Sequence, residues 1–307
     1  MKAIDIHAHI FSSVHGRNCL GEVCSERFGR VTNGGKVKPF MPPLSDTTRF
    51  GVENLLELMT EAEVERALLV QNPTIGSVNG EILQAVSRYP ERFAGVIQVD
   101  PFLDGCQVEL ERWAATGMFR ALKLELSSGW GWLASHPELN FHYDMLEPLL
   151  KGAARYGLHV IFDTGPTGGP AYRPGDMAEM AGRHPELTFI VEHLGYMTPD
   201  GNPEMHRSLL ELGRRDNVYF GISAAGQLLE ESYPCPQAME LVRRAGELMG
   251  AGKLLWGTDC PTTMCRYTYK QMKEIVELHT PFFSEEERRM VLYGNAMRLF
   301  FIREEGT

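Results

Sequence analysis

Asp5-Ile6-His7-Ala8-His9 stands near the start of the 307-residue chain and closes an apolar run of strand type. Two later stretches are built the same way, Val191-Glu192-His193-Leu194-Gly195 and Trp256-Gly257-Thr258-Asp259-Cys260-Pro261. Each run delivers a His or an Asp where it ends. Imidazole nitrogen and carboxylate oxygen are the atoms with which proteins hold catalytic divalent metals. Residues this far apart meet if their strands share one barrel, whose C-terminal rim collects the strand ends.

Outward from these stretches, apolar β-type runs recur near 3–8, 66–71, 94–99, 119–126, 158–163, 187–192, 217–222 and 253–257. Helical patterns lie between most of them, at 53–63, 79–89, 104–116, 143–157, 175–184, 203–213 and 236–250. Asn79 reads as the N-cap of the second. Eight β/α alternations predict an α/β chain folded as a distorted (β/α)8 TIM barrel rather than an open sheet. With no linker and no break in composition, residues 1–307 read as a single domain. Ser284 and Glu287 form a capping box ahead of a last helix whose apolar face is expected to pack on the barrel wall. Residues 10–50 break the alternation. They are rich in Gly and Pro, lack periodicity, and are expected to form a long loop folded over the rim.

The composition excludes several classes. Hydrophobic residues make up 43% and charged residues 23%, and the formal net charge is −10 without any long Lys/Arg run, which argues against nucleic acid as a partner. No stretch approaches the roughly 18 apolar residues of a membrane span, and the N-terminus lacks a signal-peptide pattern. Six Cys are too few for a disulfide scaffold, so a reducing cytoplasm is expected. Cys19, Cys24, Cys260 and Cys265 could converge as a structural zinc site if strands 1 and 8 are neighbours, but free, inert thiols are the simpler reading.

Alternation puts His7 and His9 on one face of the first strand, with Asp5 one step deeper where it could orient a ligand His. Otherwise the two His lie exposed on an edge strand. The same alternation sets Phe189, Val191 and His193 on one face. His193 could bind metal or move a proton, or be a satisfied core His. Asp259 could be a ligand, a general base or a helix cap. On strand 4, Ala121, Lys123 and Glu125 share a face, so Lys123 either pairs with Glu125 or holds a substrate carboxylate. Arg173 and Arg266, in the loops after strands 5 and 8, are the best placed guanidinium groups for a carboxylated substrate.

His7-x-His9, Glu-His193-Leu-Gly, Gly-Thr-Asp259-Cys-Pro and Gly294-Asn295-Ala296, in this order, resemble the amidohydrolase superfamily. The amidohydrolase-2 group, with its semialdehyde and aromatic-acid decarboxylases and lactone hydrolases, is the most similar branch. The resemblance implies one divalent metal with His7, His9 and Asp259 as ligands and His193 as a catalytic His. One position departs from the pattern. The group ends strand 5 with a His ligand, whereas this chain has Asp163 in Val160-Ile-Phe-Asp163-Thr-Gly. Asp163 is expected to take the ligand's place, since His159 lies about 13 Å back along the strand; the alternative is that the swap leaves the metal weakly bound or absent.

The expected activity is metal-dependent hydrolysis of a C–N or C–O bond in a small carboxylated substrate, an amide or a lactone. The metal would be Zn, with Mn or Fe as alternatives. Non-oxidative decarboxylation of an unsaturated or aromatic acid is the runner-up, and a barrel that binds a ligand without turnover is the third reading. A homodimer would suit the family; a small molecule is the expected partner.

Overall fold

The apolar runs become strands because branched and aromatic side chains alternate between two dry surfaces, the barrel interior and the helix layer. In the computed structural model, which describes residues 1–302, they are β1 (Ala3–His9), β2 (Val64–Val70), β3 (Phe93–Gln98), β4 (Phe119–Glu125), β5 (His159–Asp163), β6 (Phe189–Val191), β7 (Val218–Gly221) and β8 (Leu254–Leu255). All pair in parallel in chain order. The ends of the sheet meet where the Ile6 amide donates to Trp256 O at 3.1 Å, Asp259 to His7 O at 2.7 Å and His9 to Cys260 O at 2.9 Å. The expected TIM barrel is therefore the observed fold.

Ile4, Ile6, Leu68, Val70, Val96, Ala121, Ile161, Ile190 and Leu255 fill the interior. The opposite strand faces, with Leu69, Leu122, Phe162 and Val191 among them, pack on the helices. The capping box at Ser284 and Glu287 forms as expected. The segment after it does more than cover the wall. Val291 and Leu292 join the outer core, but after wider, π-type turns Ala296 and Phe300 enter the interior cluster. Phe300 meets the His159 ring edge-on at 5.2 Å, and His159 Nε2 donates to Leu299 O at 2.7 Å. This end of the barrel, where the strands begin, is thus plugged by side chains, and His159 belongs to the plug.

Three details differ from the sequence reading. Residues 10–50 are not an irregular loop. Arg17–Asn18, Gly21–Ser25, Arg30–Asn33 and Lys36–Pro39 make an antiparallel sheet. It turns tightly at Gly34 and Gly35, whose φ values of 58° and 71° suit a two-residue hairpin. The sheet is fastened to the rim, with the Arg17 amide on Pro73 O and the Cys19 amide on Gly129 O. Asn79 is not a cap. Its side chain turns into the core and donates to Gln98 O at 2.7 Å, because a buried amide needs partners more than the helix end needs a cap. A helix at Tyr269–Leu278, capped by Thr268, has no counterpart in the sequence reading.

Cys19, Cys24 and Cys265 are exposed while Cys260 is buried, and the four thiols form no metal-ligand group among the described residues. Among the same residues, no helix is long and apolar enough to cross a membrane.

Candidate active site

A bulge in β1 builds the first part of the site. Ile4 and Ile6 point into the barrel, and the register against β2 then slips between Asp5 and Ala8. An extra residue reverses the alternation, so His7 and His9 point inward as well. Asp5 is consequently not on their face. Its Oδ1 accepts from the amides of His7 (3.0 Å) and Thr258 (2.9 Å), and its Oδ2 from Thr258 Oγ1 (2.6 Å) and Tyr269 OH (2.9 Å). Burial pushes the Asp5 carboxyl up against these four donors. Asp5 fixes the backbones of the first and last strands, not an imidazole ring.

His9 Nδ1 lies 3.0 Å from Val70 O. A carbonyl only accepts, so this nitrogen carries the proton and Nε2 faces Asp259 Oδ1 at 2.9 Å. His7 Nε2 is 3.6 Å from the same oxygen and 3.4 Å from Lys123 Nζ, while its Nδ1 lies 3.1 Å from Glu192 Oε2. Burial, with Lys123 beside it, holds His7 well below the usual imidazole range, so the ring is neutral. Asp259 is reached through a left-handed residue, φ 61°. Burial opposes its charge, but the His9 hydrogen bond and the neighbouring imidazoles hold it below the usual carboxylate range. Gly257 permits the approach, since a Cβ there would stand 3.0 Å from His7 Cβ.

His193 does not arrive by strand alternation. Phe189 and Val191 face the helices, Ile190 faces the interior, and β6 stops at Val191. The chain then makes a left-handed turn, with φ of 54°, 50°, 65° and 54° at His193, Leu194, Gly195 and Tyr196. His193 Nδ1 faces Ser223 O at 3.2 Å and Nε2 lies 3.3 Å from Asp163 Oδ2. Both nitrogens meet acceptors, so the ring holds both protons. Burial works against that charge, but the hydrogen bond and charge of Asp163 outweigh it and push His193 up to about 9.

Asp163 falls in neither of the two groups that could hold an ion, which are His7, His9 and Asp259, and His7, Glu192 and His193. Its oxygens are already engaged, Oδ1 by the Gly165 amide at 3.1 Å and Oδ2 by Tyr196 OH at 2.8 Å. The expected replacement of a His ligand by Asp163 is thus not what the geometry presents; Asp163 is the partner of His193. Burial opposes its charge, yet His193 and Lys123 hold it well below the usual carboxylate range. Lys123 Nζ pairs with Glu125 Oε2 at 2.9 Å, and burial with the Asp163 charge pushes Glu125 up to about 8.

His7, Lys123, Glu125, Asp163, His193 and Asp259 line a cavity of about 240 Å³ at the C-terminal rim, together with Asn72, Trp130, Tyr196, Gln227, Leu228 and Thr262. Arg173 and Arg266 are elsewhere. Arg173 lies 3.5 Å from Asp176, and Arg266 donates to Glu230 O at 2.9 Å. Their positions after strand ends suggested the rim, but each loop turns its Arg to local partners instead. Glu192, Ser223 and Tyr196 were missed. Continuing the interior register from Ile190 would have found Glu192, whose Oε2 accepts from Ser223 Oγ at 3.0 Å. Nothing local in the sequence announces Tyr196.

An eight-stranded α/β barrel that gathers imidazoles and carboxylates at the C-terminal rim is the architecture of a barrel hydrolase. This chain belongs to the amidohydrolase family, whose model matches residues 4–302. It is 24% identical over 274 residues to 4-sulfomuconolactone hydrolase of Hydrogenophaga intermedia, covering 84% of this chain and 83% of that protein. Its fold is similar to that of a probable 2-pyrone-4,6-dicarboxylic acid hydrolase from Acinetobacter baumannii, with a TM-score of 0.70 at 18% identity over 98% of this chain and 100% of the other. It is also similar to a zinc-bound amidohydrolase from Burkholderia multivorans, with a TM-score of 0.69 at 15% identity over 99% and 100%.

Proposed function

We propose that this chain hydrolyses a small lactone to the open hydroxy acid, using one divalent metal held by His7, His9 and Asp259. The observation that carries the reading is the convergence of three ligand atoms, all within 4.8 Å of one another, beside a doubly protonated His193. The residues fit the ion. Nδ1 of His9 is committed to Val70 O, which leaves Nε2, 2.9 Å from Asp259 Oδ1, and His7 Nε2, 3.6 Å from the same oxygen, as the ring atoms that a shared cation would take. Two imidazoles and a carboxylate suit Zn, and also Mn or Fe. The zinc in the Burkholderia relative supports the first of these.

Bound there, a divalent metal supplies a more acidic water and polarises the ester carbonyl. Asp259 takes the proton of the attacking water. The water oxygen bonds to the carbonyl carbon, the ring C–O bond breaks, and the departing oxygen takes a proton from His193. Asp163 keeps that proton in place beforehand. Trp130 and Tyr196 form an aromatic wall, while Asn72, Gln227 and Thr262 offer neutral polar groups for the ring substituents.

Lactone hydrolysis is favoured over decarboxylation by the cations. Among the described residues that line the cavity, the cations are Lys123 and the His193 imidazolium, and the Asp163 and Asp259 carboxylates already match both. A decarboxylase must hold a carboxylate, and a carboxylated lactone would meet the same shortage. A neutral, hydroxylated lactone therefore suits the cavity better than the carboxylated substrate that the sequence suggested. Two of the similar proteins are named for the opening of cyclic esters, 4-sulfomuconolactone and, as a probable hydrolase, 2-pyrone-4,6-dicarboxylic acid, both carrying acidic groups for which this cavity has no unmatched cation.

The test begins with metal analysis of protein purified without chelator, followed by lactone and decarboxylation screens. About one ion per chain is expected, with ring opening lost by at least ~100-fold on chelation, in His9→Ala and in Asp259→Asn. Release of CO₂ from an unsaturated acid, without opening of any lactone, would overturn the reading.

A further inference from the structure

His193, Leu194, Gly195 and Tyr196 hold four left-handed φ values in succession. Single residues visit this region; runs of L-residues do not, because each Cβ crowds the following carbonyl oxygen. Such a conformation survives only where its surroundings over-determine it. Here they do. Leu194 is buried in the outer core, and Gly195 passes so close to Leu209 that a Cβ would stand 1.9 Å from Leu209 Cδ2.

The turn puts residues three apart on one side. The rings of His193 and Tyr196 meet edge-to-face, with centroids 5.1 Å apart. Both reach one atom, Asp163 Oδ2: His193 Nε2 at 3.3 Å and Tyr196 OH at 2.8 Å. The Trp130 ring lies against Tyr196, centroids 5.7 Å apart. Tyr196 is buried, and burial with the Asp163 charge keeps its hydroxyl protonated. The hydroxyl is therefore a fixed donor to the carboxylate.

Asp163 is also drawn elsewhere. The Lys123 ammonium attracts it, and Glu125 is its neighbour on β4, paired with it in register. The Tyr196 hydrogen bond holds Oδ2 on the His193 side of the cavity. We propose that Tyr196 is a positioning residue for His193, anchoring Asp163 Oδ2 where His193 Nε2 meets it, and that the left-handed turn exists to bring the two side chains onto that oxygen. The catalytic half of this inference rests on His193 as the proton donor in lactone opening.

Tyr196→Phe removes the hydroxyl and keeps the ring packing, and Asp163→Asn removes the acceptor's charge. The readout that needs no substrate is the ¹H–¹⁵N spectrum of the histidine ring N–H groups in ¹⁵N-histidine-labelled protein, with the His193 signal assigned by its loss in His193→Asn. In both variants the His193 Nε2–H signal is expected to move or broaden away, while the other histidines keep theirs. On a lactone that the wild type opens, Tyr196→Phe is expected to lower kcat roughly 10- to 100-fold with KM little changed, less than the roughly 10²- to 10⁴-fold contributed by a general acid or base itself. A His193 signal in Tyr196→Phe that superimposes on the wild type overturns the proposal. So does a rise in KM with kcat untouched, which would make Tyr196 a substrate contact. If the wild type opens no lactone but the His193 signal shifts as expected, the positioning stands and the substrate reading fails alone.

Discussion

Gly195→Ala tests the turn that carries His193. Two penalties add. A non-glycine residue held in the left-handed region costs roughly 1–2 kcal/mol. The new methyl would stand 1.9 Å from Leu209 Cδ2, and Leu209 is fully buried, so the core must shift. Overpacking of this kind costs about 1–3 kcal/mol. The sum is about 2–5 kcal/mol. With an unfolding entropy near 2.1 cal/mol/K per residue, a chain of this length has a slope of about 0.6 kcal/mol per degree, so Tm should fall by roughly 3–8 °C. Calorimetry measures this directly. Leu209→Ala removes the clashing group, so the double variant should be less destabilised than the sum of the singles by about 1–3 kcal/mol. A Gly195→Ala protein within about 0.5 kcal/mol of wild type, with no coupling to Leu209, would refute the claim that this turn is tightly determined.

Two further outcomes follow from the plug and from His193. Phe300→Ala should cost about 3–5 kcal/mol and roughly 5–8 °C in Tm, yet leave metal content unchanged, because the cavity it opens lies at the end of the barrel away from the rim. Calorimetry and elemental analysis of the same sample check both halves. Lactone opening should persist to about pH 9 and decline above it as His193 loses its proton, and the decline should move to lower pH in Asp163→Asn. The same group raises stability with a definite sign. Its folded value lies above the usual 6.5, so its contribution is complete below 6.5 and is lost as pH rises through about 9, which urea titrations across that window would reveal.

The strands were legible because both of their faces are buried, which leaves an apolar run of the right length with little else to become. The site was legible only where it follows strand ends. His7, His9, Asp163 and Asp259 all do. What misled the reading were local departures from alternation. The bulge in β1 moved Asp5 to the helix side, and the left-handed turn delivered His193 from a strand whose preceding odd-numbered residues face outward. Neither leaves a mark that a period-two pattern can register. The small sheet in residues 17–39 was hidden by strands too short and polar to show periodicity, although Asn33-Gly34-Gly35 is a recognisable hairpin turn. Arg173 and Arg266 show the limit of placement by loop: position along the chain sets the rim, but the nearest carboxylate or carbonyl sets the side chain.

His7 and His9 stand on the first strand, and Asp259 follows the last. The site therefore straddles the seam where the barrel closes, a contact between segments some 250 residues apart and among the slowest kinds to form when the chain collapses. A cation held by His9 and Asp259 together, as proposed, would clasp that seam shut, so its affinity would be applied to the join that closes the sheet on itself. An empty site leaves the Asp5 hydrogen bonds and a few backbone contacts to hold it. The amide protons of His9 and Asp259, which cross the seam, should then exchange with solvent before those of the neighbouring strands.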